Sequence, residues 1–530
     1  MLFNSPHFLF LVLPVTLLVY HRLLGCGWHL ATMVWITLTS LFMYGWMEPS
    51  FVPILVASVV GNYGGAHLLV GVAAPRLRRP LLGVLIGANL AALGYYKYTG
   101  FFLVTLNQVA ELSLPIPAIL LPLGISFFTF QQLAFLVDVA NRGAVGYRFW
   151  DYATFVTFFP QLIAGPIVHH AEMLPQFERR LAAARRIPWQ HLAVGLTYFV
   201  IGLFKKVVIA DHLAPLASAV FDAAPGSPPS LAGAWVAVLA YALQLYFDFS
   251  GYSDMAVGLG RLFGIRLPLN FDSPFKAVGM IDFWKRWHLT MTRFFTDYLH
   301  LPLTLRRVRE AMRRERGAVA TFLSTSAFPI MATFLLSGLW HGAGWNFVLF
   351  GAVHGLGLTI NHAWRSARLP KLPRGAAWLA TFITVLISFV FFRAPSLEAA
   401  WVMLRAMAGL TTLSLPAALS PLSGFLPASL ADHLVFQGIF FGSGLPTADT
   451  RVVYLLLGIL AACLILPNCA EIMRRYQPVV DRDFRARNPG RLLRLCSFQP
   501  NAAWGGFVTI LFLVSLYFLN DESAFIYFQF

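Results

Sequence analysis

The chain has 530 residues, of which 58% are hydrophobic and only 12% charged, with a net charge of +16 and a mean hydropathy of +0.68. Soluble domains carry about 25% charged residues, so the composition excludes an ordinary soluble domain and points to a polytopic membrane protein. The positive charge gathers in short loops, which argues against a nucleic-acid-binding protein.

About a dozen apolar runs approach the ~20 residues that cross a bilayer as a helix. They include Phe8–Tyr20, Thr32–Met47, Phe51–Val72, Leu81–Tyr96, Leu192–Phe204, Leu231–Tyr246, Ala318–Leu336, Phe347–Ile360, Trp378–Phe392, Val452–Leu466 and Trp504–Leu519. Several are short, which predicts tilted, broken or re-entrant helices. The runs do not alternate apolar with polar residues, so strands are not expected. The start, Met1 to His7, lacks the basic region of a cleavable signal, so the first helix is expected to remain. Basic clusters at Arg76–Arg79, Arg179–Arg186, Arg306–Arg316 and Arg474–Arg494 read as cytoplasmic loops. Counting three spans back from the first of them puts the N-terminus outside. Such loops also suit anionic lipid heads or an anionic cytosolic substrate, although positive-inside topology alone accounts for most of these arginines. Cys26, Cys463, Cys469 and Cys496 are scattered, form no metal or redox pair, and are read as packing residues.

Polar interruptions begin in the second quarter. Ile119–Val139 holds Gln131, Gln132 and Asp138. Phe159-Pro160-Gln161-Leu-Ile-Ala-Gly165-Pro166 breaks an apolar run with two prolines, each lacking an amide donor. Non-helical backbone at membrane depth survives only inside protein or along a wet cavity, so a buried re-entrant turn is expected here. Between Leu243 and Met255, Tyr246, Asp248, Ser250, Tyr252, Ser253 and Asp254 interrupt apolar residues. As a group they suggest the wall of a polar cavity, and singly a clamp between helices.

Asp282-Phe-Trp-Lys-Arg-Trp-His288-Leu-Thr combines charge and aromatics. Trp284, Trp287, His288 and Met291 fall at helical spacing, and Asp282 with Arg286 can pair at i, i+4. An interfacial helix over 281–300 is expected. It would explain the tryptophans without requiring His288. Further on come Ser337-Gly-Leu-Trp340-His341-Gly-Ala-Gly-Trp345, then Asn346, and His354-Gly355. Histidine takes or gives a proton near neutral pH and is costly inside hydrocarbon. Glycines at 338, 342 and 344 permit close approach of backbone or substrate, a setting suited to a general base. His354 follows His341 by about 3.6 helical turns, so on one unbroken helix the two would point apart. A metal site ranks low, because no Cys, Asp or Glu sits at ligand spacing from these histidines. Thr411–Ser429, rich in Ser, Leu and Pro, reads as an external loop.

Phe283-Trp-Lys-Arg-Trp-His288, Gly338-Leu-Trp-His341-Gly and Val353-His354-Gly together resemble the membrane-bound O-acyltransferase family. The bacterial branch of alginate O-acetylation membrane proteins is the nearer likeness. Phe159–Pro166, Tyr246–Asp254 and the terminal Tyr527-Phe-Gln-Phe530 are similar to that branch, and the likeness spans nearly the whole chain. Lys285 stands where the branch more often has Arg, and the Arg306–Arg316 loop is unusually basic.

The resemblance implies an all-α fold: a polytopic bundle of about a dozen spans around a central tunnel, with re-entrant and interfacial helices. It implies one integral-membrane domain over 1–530, with a catalytic core over 119–363. His341 would be the essential histidine and His288 its functional partner. Trp340, Trp287, Asp248, Ser250, Asp254, Asn346, His354 and Gln161 are candidates for the tunnel or substrate contacts. The implied activity is O-acylation at the bacterial inner membrane, with no bound cofactor or metal and with acetyl-CoA or an acylated carrier as donor. The acceptor would be an exopolysaccharide, alginate- or cellulose-like, or a periplasmic polysaccharide-acetylation protein, and membrane lipid would surround the chain. A secondary transporter would also have broken helices and ionisable groups at mid-membrane, but should show two repeated halves, and none is seen. A non-catalytic scaffold of a secretion complex would leave His288 and His341 dispensable.

Overall fold

The computed structural model describes the chain apart from residues 73, 184–187, 314–316, 412, 415–433, 436–449, 483, 485–489, 520–524 and 527–530. Most of the expected Thr411–Ser429 loop and the terminal Tyr527–Phe530 therefore lie outside the described residues. Helix dominates. Two two-residue strands, Leu413–Ser414 and Leu434–Val435, pair in parallel.

Among the described residues, seven helical stretches are long and apolar enough to cross a membrane: Phe8–Gly25, Phe51–Gly71, Arg76–Ala110, Trp189–Ala223, Leu231–Leu262, Ala318–His341 and Arg374–Arg393. Arg451–Ile465 and Ala502–Tyr517 are shorter apolar helices. Large apolar side chains such as Phe102, Leu196, Ile360 and Ile510 point outward, as lipid-facing helices require and a soluble protein would avoid. The chain is a multi-pass membrane protein.

It divides into two compact units. The first comprises Met1–Phe204, Ser250–Asn270 and Cys469–Gln529; the second comprises Lys205–Phe249, Phe271–Asn468 and Phe530. In the first unit, Trp189–Phe204 lies against the segment that begins at Ser250. Gly195 faces Gly258, and Gly202 faces Gly251, so closely that a Cβ on Gly195, Gly202 or Gly258 would meet the opposing backbone. Small residues permit such backbone approach where lipid offers no hydrophobic drive for association. Elsewhere in this unit Asn62 and Asn89 exchange amide hydrogen bonds at 3.0 and 2.7 Å. Gln132 donates to Ser58 at 2.8 Å, so these buried polar groups act as clamps between helices.

The proline-broken stretch behaves as its sequence demands. Helix Phe149–Thr157 stops, Phe158 turns the chain, and Phe159–Leu162 forms a single buried turn. The Gln161 amide donates to the Phe155 carbonyl at 2.6 Å, satisfying backbone that the break leaves open.

In the second unit, Phe328–His341 and Trp345–Ser366 form a hairpin around Gly342–Gly344. Gly338 meets the Phe347 backbone and Gly351 meets the Phe334 backbone, leaving no room for a Cβ at either. Arg374–Arg393 packs along the second arm.

Candidate active site

The 281–300 segment is not one helix. Met280–Phe283 ends in a tight turn, and a new helix starts at Leu289. Between them His288 adopts φ +43°, ψ +53°, a left-handed conformation that costs a non-glycine residue energy and persists only when its surroundings enforce it. The enforcement is visible. Arg286 donates from Nε to Asp282 at 2.9 Å and from a terminal nitrogen to the Asp272 carbonyl at 3.1 Å, while the Asp272 amide donates back to the Arg286 carbonyl at 2.9 Å. The i, i+4 pair expected between Asp282 and Arg286 thus braces the turn. Trp284 and Trp287 are buried in protein, where an interfacial anchor would have left them at the lipid headgroups. The helical spacing was real, but the turn between them directs the rings inward.

That turn carries His288 into a wall of rings. Its imidazole is fully buried, 4.7 Å edge-on from Phe249 and 6.4 Å from Phe271. His341 ends the first arm of the hairpin, 3% exposed, with Phe350 at 5.5 Å and Phe392 at 5.3 Å. The His288 and His341 ring centroids are 6.2 Å apart, and Trp340 lies 6.1 Å from His288 and 5.0 Å from His341. Trp287 stacks on Phe283 at 5.6 Å and touches Phe389.

His354 sits on the second arm. The glycine turn interrupts the helix, so the divergence expected for one unbroken helix does not apply. Phe350 packs against His341 on one side and His354, at 4.7 Å, on the other. Phe283, Trp284 and Phe334 complete a box around the His354 ring, and neither ring nitrogen has a hydrogen-bond partner among the described residues. A buried imidazole with no such partner among the described residues is uncommon.

Five of the sequence-derived candidates, His341, His288, Trp340, Trp287 and His354, therefore converge inside the second unit. Asn346 belongs to it too, donating to the Ala394 carbonyl at 2.7 Å, which ties the hairpin turn to the end of Arg374–Arg393. Asp248 is buried with Lys206 at 2.7 Å, and Lys206 also reaches Asp211 at 2.7 Å. That last pair is five residues apart, out of reach on a regular helix. The π-helical turn Lys205–Ala210 shifts the register by one residue and makes it possible. Gln161, Ser250 and Asp254 are buried residues of the first unit. Sequence reasoning overlooked Lys206 and the ring wall of Phe249, Phe271, Phe350 and Phe392. The adjacent lysines Lys205 and Lys206 inside an apolar run were the available signal for the first, whereas the phenylalanines are lost among 48 in the chain.

A second titratable group lies in the first unit; the sequence reading singled out its Asp138 but not its two histidines. His169 and His170 both approach Asp138 Oδ2 at 2.9 Å, and the potential ligand atoms lie within 4.8 Å of one another, near enough to share a metal ion. The Ala171 amide donates to His169 Nδ1 at 3.2 Å, which leaves Nε2 to carry the proton towards Asp138. That tautomer favours a hydrogen-bonded trio over metal ligation. Burial alone would raise the Asp138 carboxyl, but the hydrogen bonds from both imidazoles hold it well below the usual carboxylate range. Burial lowers His170.

A family model described as MBOAT, membrane-bound O-acyltransferase family, matches residues 127–400, which contain all three clustered histidines. The chain is 39% identical over 486 residues to a peptidoglycan O-acetyltransferase of Helicobacter pylori, covering 86% of this chain and 88% of that one. It is 37% identical over 416 residues to a probable alginate O-acetylase AlgI of Azotobacter vinelandii, covering 77% and 78%. A teichoic acid D-alanyltransferase of Streptococcus thermophilus is 29% identical over 297 residues, covering 51% and 68%.

Proposed function

The chain belongs to the membrane-bound O-acyltransferase family and is an O-acyltransferase, and from that premise we propose that it hands an acetyl group across the bacterial inner membrane. The donor is a cytosolic thioester, acetyl-CoA or an acylated carrier. The acceptor is a hydroxyl of an envelope or secreted polysaccharide, or of a periplasmic partner that finishes the transfer. Relatives named for peptidoglycan and alginate O-acetylation support a polysaccharide as final acceptor.

The observation that carries this reading is the pairing of His341 with His288, 6.2 Å apart within buried aromatic walls. His341 takes the proton of the acceptor hydroxyl as its oxygen attacks the thioester carbonyl. The C–O bond forms, the C–S bond breaks, and the thiolate leaves and recovers a proton. His288, held rigid by its strained turn, orients or polarises the reacting groups. A proton-transfer group so placed is worth roughly 10²–10⁴ in rate. Water kept out by the rings cannot compete for the acyl group. The physical problem solved is that a charged donor cannot cross hydrocarbon, whereas its acetyl group can be passed through.

The test is His341→Ala in the native host, with mass spectrometry of the extracted polysaccharides. Loss of acetyl esters with the variant present at normal levels in the membrane is expected. Normal acetylation by a folded variant would overturn the assignment.

A further inference from the structure

The first unit contains a cavity of about 480 Å³ whose lining includes Arg179, Arg180, Arg261, Arg266, Arg475 and His191, and among the described residues no Asp or Glu. None of these five arginines makes an ion pair among the described residues. Arg261 ends helix Leu231–Leu262 and is 4% exposed. One of its terminal nitrogens donates to the Tyr476 carbonyl at 3.2 Å, while its buried Nε has no acceptor among the described residues. Nε and one terminal nitrogen of Arg180 are likewise buried without an acceptor, and burial lowers the pKa of this guanidinium, as expected of a cation lacking a counter-charge.

The walls are built. Gly264 turns at φ +74°, and the Arg180 guanidinium occupies the space its Cβ would need. Gln176 grips the backbone of Arg266 from both sides, donating to its carbonyl at 3.0 Å and accepting its amide at 2.9 Å. Arg266 in turn donates to Gln477 at 3.4 Å. Positive-inside topology explains arginines in a loop, but it does not explain a buried guanidinium pointing unpaired donors into a cavity. Buried charge needs a partner.

We propose that this cavity is a binding site for a phosphate-bearing anion, gripped by Arg180, Arg261 and Arg266. Guanidinium forks match pairs of phosphate oxygens in geometry and charge. A single carboxylate would neutralise only one of several converging cations, whereas a phosphate or diphosphate offers oxygens to all three. The anion is either the headgroup of an anionic phospholipid or a soluble phosphorylated molecule; the recognition chemistry is shared.

The full chain, purified into nanodiscs, tests this. In one arm the lipid is phosphatidylcholine alone and inorganic pyrophosphate is titrated while thermal unfolding is followed. In the other, phosphatidylglycerol replaces part of the lipid and no pyrophosphate is added. Ligand that binds only the folded state raises the unfolding temperature. The site predicts a rise in at least one arm: pyrophosphate alone identifies a soluble ligand, phosphatidylglycerol alone a lipid. Arg261→Gln should weaken the effective affinity at least about tenfold. Arg266→Gln, at a half-buried position, should do the same and serves as the judge if Arg261→Gln does not fold. No stabilisation of the unaltered chain in either arm, or unchanged affinity in the folded variants, would overturn the proposal.

Discussion

In the proposed mechanism two imidazoles carry the chemistry, and their positions make different predictions. His341 is placed as the proton-transfer group, so His341→Ala should lower acyl transfer by about 10²–10⁴-fold while leaving the unfolding temperature close to that of the parent. His288 contributes both a ring and a left-handed backbone. Glycine accepts that backbone without cost, so His288→Gly should fold and yet transfer poorly, separating the role of the ring from that of the turn. The Lys206–Asp248 pair is a structural matter. Both groups are nearly inaccessible, at 4% and 2% exposure. Removing the lysine strands Asp248, whereas Asp211 is partly exposed and can turn to water, so Lys206→Met should destabilise by roughly 3–5 kcal/mol in a detergent unfolding assay, and adding Asp248→Leu should recover most of the loss. At the Asp138 trio the sign of the pH dependence follows from the two shifts. A lowered His170 means that the unfolded chain binds more protons below its ordinary pKa of about 6.5, so stability falls as pH drops through that value. A lowered Asp138 contributes stability above about pH 3.9 that is lost as pH falls towards its folded value. Both act in one direction, so stability should rise with pH across the acid range; in Asp138→Asn the slope below about pH 4 should flatten, while that near the ordinary histidine pKa should steepen, because His170 loses the carboxylate that raises it.

Among the elements, the hairpin Phe328–His341 and Trp345–Ser366 positions the site, and its closeness depends on two glycines. A Cβ at Gly338 or Gly351 would strike the opposing backbone, which cannot yield as a flexible side chain can. Gly338→Ala should cost about 1–3 kcal/mol and should lower transfer as well, because His341 is three residues further along the same arm. Gly87 has open space around it, so Gly87→Ala should be neutral or slightly stabilising. The sequence made the histidine motifs, the helical character and the break at Pro160 legible, because each rests on local chemistry: a donor missing at proline, freedom at glycine, apolar runs of membrane length. It did not reveal that 281–300 breaks at His288. The Trp284–Trp287–Met291 spacing is helical, and only the contacts of Arg286 with Asp272 and Asp282 override it. The π-helical turn at Lys205–Ala210 was equally hidden, because it goes with the pairing of Lys206 to residues five and 42 positions away, and the second of these is distant in sequence.

For the whole molecule, composition settled the membrane class and the motifs in order settled the family. The two compact units were not legible, because the first assembles from three stretches far apart in the chain. Contacts of that kind leave no mark in local pattern. The trio of Asp138, His169 and His170 and the cavity around Arg261 arise in the same way, from residues that only folding gathers. The family assigns an acyltransferase, and the proposed mechanism gives the second unit's histidines the proton chemistry. The most direct measurement is acyl transfer by the purified chain in proteoliposomes that enclose a labelled acetyl thioester, with a polysaccharide acceptor or partner fraction outside. Labelled ester should form with the parent chain and fall by at least about a hundredfold with His341→Ala, at equal amounts of folded protein. Equal rates of ester formation from the two proteins would contradict the account.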